Sequence, residues 1–121
     1  MANSLSKIRS EAFRRQAGRC YYCGVLMWAK DRDAFAKMHQ LSPRVLRELQ
    51  CTAEHLCARQ DGGVDTRENI VAACLRCNRQ RHLGWKKAPA PETYLQHVRR
   101  LLSHKVWHRA PVFERGLIGS G

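Results

Sequence analysis

The order of apolar and polar positions divides the chain into short amphipathic pieces. In residues 4–17, Leu5, Ile8, Ala12 and Phe13 recur at helical spacing between basic residues. Ser4 or Ser6 can cap this first helix and Gly18 can stop it. Ser42-Pro43 sets a cap before proline at the first helical position, opening a helix over Arg44–Gln50 with Val45, Leu46 and Leu49 on one side. Short strands are predicted at Thr52–Leu56 and Asn69–Cys74, the second carrying β-branched Ile70 and Val71. A polar loop with the turn signal Asp61-Gly62-Gly63 joins them. Asn78–Leu83 continues as a helix until Gly84. After the stiff linker Ala88-Pro89-Ala90-Pro91, a last helix carries the stripe Tyr94, Leu95, Val98, Leu101 and Leu102. The expectation is a single α+β domain over residues 1–110, with a core at 51–84, a helical insertion at 25–50 and a C-terminal helix at 91–108. Residues 111–121 are expected to form a flexible tail.

Composition adds a constraint. The chain has 121 residues, 44% of them hydrophobic, so its core is modest and calls for a staple. The longest apolar stretches, Val25–Ala29 and Ile70–Leu75, are far short of the roughly 20 residues of a membrane span. The first residues have no apolar run of the secretory type, so an intracellular, for example cytoplasmic, protein without a membrane partner is expected. The formal net charge is +12. It is spread evenly: residues 1–50 hold 10 Lys/Arg against 4 Asp/Glu, and residues 51–121 hold 12 against 6. An evenly basic small domain gains affinity for a polyanion by releasing condensed counterions.

Six cysteines offer the staple. Cys20-x2-Cys23 and Cys74-x2-Cys77 are two knuckles whose spacing lets both sulfurs of a pair face one ion. Four thiolates close a tetrahedral site with no position left for water, which suits structural zinc. The missing secretory leader disfavours disulfides, and an iron–sulfur cluster is a further use of such knuckles. Cys51 and Cys57 lack tight pairing and read as incidental thiols.

Between the knuckles lie Glu54-His55, Asp61-Gly62-Gly63, Asn69 and then Asn78-x3-His82. Asn78 and His82 share a helix face. Neighbouring strand residues point to opposite sides, so a bend is needed to bring Glu54 and His55 to one cleft. A strand carboxylate with a helical Asn and His can hold one hard or borderline cation with open water positions, leaving His55 as a base. Singly, Glu54 also fits a surface acid, Asn69 a turn former and His82 a helix-end cation.

Together these residues resemble the HNH nuclease family, whose core is the ββα-metal fold. Glu54-His55 matches the first His position with its preceding acid, Asn69 the central Asn, and Asn78 with His82 the final helix motif. The resemblance covers about residues 4–87, with Gly62-Gly63 and both cysteine pairs in register. Glu54 stands where Asp is more usual, and Asn78 rather than His makes this an H-N-N type. The resemblance implies an endonuclease hydrolysing DNA phosphodiester bonds, with RNA left open as substrate. It implies His55 as general base and Asn69 as the residue holding the His55 strand. Glu54, Asn78 and His82 are the implied ligands of Mg2+ or Mn2+, with Ni2+ and Zn2+ as further candidates. Arg76, Arg79, Arg81, Lys86 and Lys87 are expected to contact phosphates. A homodimer or a targeting protein stays open as partner. The competing readings are a non-catalytic zinc-ribbon module that binds nucleic acid and a zinc-stapled protein-interaction domain.

Overall fold

The computed structural model describes residues 4–119. Helix α1 (Leu5–Arg15) starts where the Ser4 side chain accepts from the Lys7 N–H at 3.2 Å, and it buries Ile8 and Ala12. The insertion contributes α2 (Arg32–His39) and α3 (Pro43–Glu48), the latter capped by Ser42. Strand β1 (Cys51–His55) pairs antiparallel with β2 (Ile70–Cys74), with Cys51 opposite Cys74 and Glu54 opposite Val71. Every β2 residue is buried, because α1 covers one face of the ribbon and α4 (Leu75–Leu83) the other. A two-stranded ribbon is marginal alone and needs this cover. Helix α5 (Pro91–Ser103) buries Tyr94 and Val98 from the expected stripe.

Two expectations about the C-terminal part are corrected. The last long helix ends at Ser103, short of 108, and the chain then turns so that Trp107 and His108 face the cysteines. The expected flexible tail is packed through residue 119. Helix α6 (Ala110–Glu114) leads to Leu117, and Val112 and Leu117 are both buried. The Leu26 N–H donates to the Leu117 carbonyl at 2.9 Å, and Ile118 bridges Val25. The physical reason is that this segment's apolar side chains cover the first knuckle, which the small core would otherwise expose. Residues 120 and 121 lie outside the described residues.

The insertion is equally integrated. The Trp28 indole N–H donates to the Leu46 carbonyl at 2.7 Å, and Gln50 bridges Trp28 in parallel register just before β1. No helix among the described residues is long and apolar enough to cross a membrane.

Candidate active site and metal centre

Four sulfurs meet in the core. Cys20 and Cys23 come from a turn closed by the Gly24 N–H donating to the Cys20 carbonyl at 2.9 Å, with Gly24 at φ +74°. Cys74 ends β2 and caps α4, its sulfur accepting the Cys77 N–H at 3.4 Å. The Cys74 N–H in turn donates to the Cys20 sulfur at 3.3 Å. All four are buried and their sulfurs lie within 4.8 Å of one another. The Cys23–Cys74 separation of 3.8 Å is far beyond a disulfide bond. It equals the edge of about 3.8 Å for a tetrahedron with zinc–sulfur bonds of about 2.3 Å.

The electrostatics also call for a cation. Burial opposes ionisation of Cys20, but hydrogen bonds from Cys23, Cys74 and Cys77 outweigh it and hold this thiol well below its ordinary value. Burial and the neighbouring Cys20 push Cys23, Cys74 and Cys77 upward. Without a cation the cluster thus favours one thiolate over four. The donor set fits zinc, which would let all four ionise.

Two residues outside any sequence motif complete this centre, and His108 is not the mere surface or packing residue that its lack of a motif suggests. The Trp107 indole N–H donates to Cys77 Sγ at 3.3 Å, and His108 Nε2 lies 3.2 Å from Cys23 Sγ. Burial holds His108 down to about 4, so the ring is neutral near pH 7, and against a Cys23 thiolate its Nε2 carries the hydrogen and donates to sulfur. Trp107 adopts φ +92°, a region that costs a non-glycine residue about 1–3 kcal/mol. Basic and aromatic residues near a chain end carry no pattern announcing such contacts. Cys51 is buried outside the cluster, its thiol pushed up to about 11 by burial, and Cys57 is exposed.

The second centre lies on the α4 side of the ribbon. A cleft is lined by Ala53, Glu54, His55, Arg59, Asn78, His82 and Lys86 among others, so Glu54 and His55 do share it. Glu54 is 1% exposed. Its Oε2 accepts from the Tyr22 hydroxyl at 3.0 Å and from Arg81 at 2.9 Å, while Oε1 lies 3.1 Å from His82 Nε2. Burial and the Glu54 charge push the Tyr22 hydroxyl far upward, so it stays a donor. The Asn78 amide donates to Thr52 Oγ1 at 3.0 Å and to the Ala53 carbonyl at 3.1 Å. Both amide hydrogens are thereby used, and Asn78, which lines the cleft, keeps its Oδ1 as an acceptor. One carboxylate oxygen, one imidazole nitrogen and one amide oxygen are a donor set that fits a divalent cation with open positions.

His55 ends β1, where the ladder stops and the strand gives way to the loop. Its Nε2 lies 2.8 Å from Asp65 Oδ1, and Arg59 donates to Asp65 Oδ2 at 2.9 Å. Arg59 Nε also approaches the same ring nitrogen at 3.2 Å. One nitrogen cannot donate and accept together, and the shorter contact to a carboxylate assigns the proton to Nε2. The lone pair then resides on Nδ1. The His55 hydrogen bond, reinforced by Arg59, holds the Asp65 carboxyl below its ordinary value.

Asn69 stands behind the cleft. Its Oδ1 accepts the Cys57 N–H at 2.8 Å, and its Nδ2 donates to the Cys57 and Val64 carbonyls, both at 3.0 Å. It therefore ties both ends of the loop between the strands. Arg81 is placed differently from a phosphate-gripping residue. It is 3% exposed and donates to Glu54, to the carbonyls of His55 and Leu56, and to that of Pro89. Of the remaining expected contacts, Lys86 lines the cleft, Lys87 is exposed beside it, and Arg76 with Arg79 lines a different depression.

Residues 42–84 match the model of the family described as HNH endonuclease. No curated protein and no solved structure matches the chain. The matched stretch runs from the Ser42 cap of α3 to the end of α4. It contains Glu54, His55, Asn69, Asn78 and His82 and the second knuckle, while Cys20 and Cys23 join from outside it. Over residues 42–84 the chain is thus similar to the HNH endonuclease family, and this stretch is joined to the N-terminal knuckle by a four-cysteine cluster suited to zinc.

Proposed function

We propose that the protein is a metal-dependent endonuclease that hydrolyses DNA phosphodiester bonds. The observation that carries this reading is the convergence of Glu54 Oε1, His82 Nε2 and Asn78 beside a His55 whose ring is oriented by Asp65. His55 Nδ1 takes a proton from the attacking water, and the Nε2–H stays on Asp65, whose charge stabilises the imidazolium that forms. Asn69 fixes the loop that carries Asp65, so the ring meets its water in one orientation. Glu54, Asn78 and His82 would hold the divalent cation, which when bound supplies positive charge at the scissile phosphate and the leaving 3′ oxygen. Arg81 and Tyr22 fix the Glu54 carboxylate so that only Oε1 is presented. Lys86 at the rim attracts the phosphate. The resemblance to HNH nucleases implies products with 5′-phosphate and 3′-hydroxyl ends.

One observation favours a second reading, a non-catalytic zinc module that binds nucleic acid. Arg81 already pairs with Glu54 at 2.9 Å, which reduces the negative charge available to a cation. Supercoiled plasmid incubated with Mg2+ or Mn2+ separates the two. The nuclease reading predicts nicked or linear product that is lost with EDTA and lost in His55→Ala. Binding without cleavage under any divalent cation would establish the module instead.

A further inference from the structure

Beyond the cleft that holds His55, a second depression of about 610 Å³ lies between α3, the start of α4 and the segment before α6. Arg44, Arg47, Arg76, Arg79 and Arg109 line it, with Glu48 as its one acid. Glu48 accepts from Arg109 at 3.1 and 3.3 Å and lies 3.5 Å from Arg76 Nη1. Arg76 is further fixed by Trp107, whose ring centre is 5.1 Å from its guanidinium carbon, and its Nε has no partner among the described residues. Arg44, Arg47 and Arg79 are exposed and form no ion pair among the described residues. Five guanidiniums with one carboxylate repel one another unless an anion enters. Two are held in place by Glu48 and three are free to close on it. Planar guanidinium groups in such numbers suit phosphate oxygens, which they bind in forked pairs.

We infer that this arginine cleft is a second phosphate-binding site that grips the DNA backbone a few nucleotides from the cleavage position. The inference rests on the nuclease reading only for the place of cleavage. Asn78 and Arg79 are consecutive in α4, so the two clefts flank one helix of about 10–12 Å diameter with its side chains. At about 3.4 Å of duplex axis per phosphate of one strand, a duplex at the His55 cleft reaches the arginines within about three or four phosphates. Helix α3 and the C-terminal segment therefore act as the grip, while the ribbon and α4 carry the chemistry.

The test uses zinc-loaded His55→Ala protein without added Mg2+, so that cleavage plays no part, and a fluorescein-labelled duplex read by anisotropy across a salt series. Arg44→Gln/Arg47→Gln should weaken binding at least about tenfold at low salt and flatten the salt slope by about two, near one per lost phosphate contact. Lys30→Gln/Lys37→Gln removes the same charge at exposed positions on or near α2 and should have less than half that effect. Arg44→Lys/Arg47→Lys keeps the charge and should keep most of the slope, guarding against a folding defect. Equal losses from both glutamine pairs, or no loss from the arginine pair, would overturn the site. In the His55-containing protein, the arginine pair should raise KM with kcat unchanged. No cleavage by any version, with the arginine effect on binding intact, would overturn the nuclease reading and leave this site standing.

Discussion

The two polar centres of this protein use similar numbers of donors to opposite ends. In the four-cysteine centre all four sulfurs are buried and lie close together, and Trp107 and His108 contact two of them. Nothing is left over for a substrate. In the cleft beside β1, Glu54 is as buried as the cysteines, yet its neighbour His55 and its partner His82 stay accessible at the rim. There the closed half of the centre, Tyr22 and Arg81 on Oε2, holds the open half, Oε1, in place. A closed donor set stabilises a fold, and a half-closed one presents a charge to something that arrives.

The largest expected effect is on the closed centre. Cys74→Ala removes one sulfur of the four-cysteine cluster and the cap of α4 together. Structural zinc in small domains is worth about 10–16 kcal/mol, comparable with the whole stability of about 5–15 kcal/mol of an ordinary domain. The variant should therefore lose zinc and its cooperative melt in circular dichroism. A folded Cys74→Ala protein would erase the distinction between the centres.

Next in size is the support of the open centre. Arg81→Met leaves the Glu54 charge buried beside an apolar side chain and should cost about 3–5 kcal/mol in chemical denaturation. Arg81→Met combined with Glu54→Gln should recover much of that stability without activity. Tyr22→Phe should cost about 1 kcal/mol by the same measurement. A stable Arg81→Met protein would mean that Arg81 does not hold the carboxylate.

A smaller change is expected at the edge of the closed centre. Trp107→Phe keeps the aromatic packing but removes the N–H on Cys77 Sγ. Zinc affinity by chelator competition should fall about 10–100-fold while the protein stays folded. An unchanged affinity would make Trp107 a packing residue only.

The smallest effect concerns His55. The Asp65 carboxyl is held below its ordinary value of 3.8 by the His55 hydrogen bond. A depressed folded value means that the contact contributes above the unfolded value and is lost as pH falls through the folded one. The short Nε2–Asp65 contact means that ring 15N shifts of the uncharged His55 ring should show the Nε2–H tautomer, and Asp65→Asn should alter them and the pH–rate profile. Identical shifts and profile in Asp65→Asn would remove Asp65 from the account.

Much of this was legible in the sequence because the local patterns are strong. Two-residue cysteine spacing, the Ser42-Pro43 cap and β-branched Ile70-Val71 each point to one local structure. The meeting of Glu54, His55, Asn78 and His82 followed from motif spacing, although strand alternation argued against it; the resolution is that His55 ends β1, where the pleat stops. Arg81 was not legible, because an arginine in a basic helix reads as a solvated cation until the depth of Glu54 is known. Trp107 and His108 were hidden for a related reason. Their partners are some 30 and 85 residues away in sequence, and only the early end of α5 turns them inward. The packing of residues 110–119 likewise depends on the first knuckle needing cover.

On the proposed function the two centres take metal independently, one for the fold and one for catalysis. The direct measurement is of zinc content and plasmid cleavage in the same zinc-loaded sample during a brief EDTA titration, followed by addition of Mg2+. The account predicts that cleavage disappears while one zinc per chain and the folded state persist, and that Mg2+ alone restores full activity. Cleavage that survives until the zinc is lost, or that returns only when zinc is supplied, would contradict it.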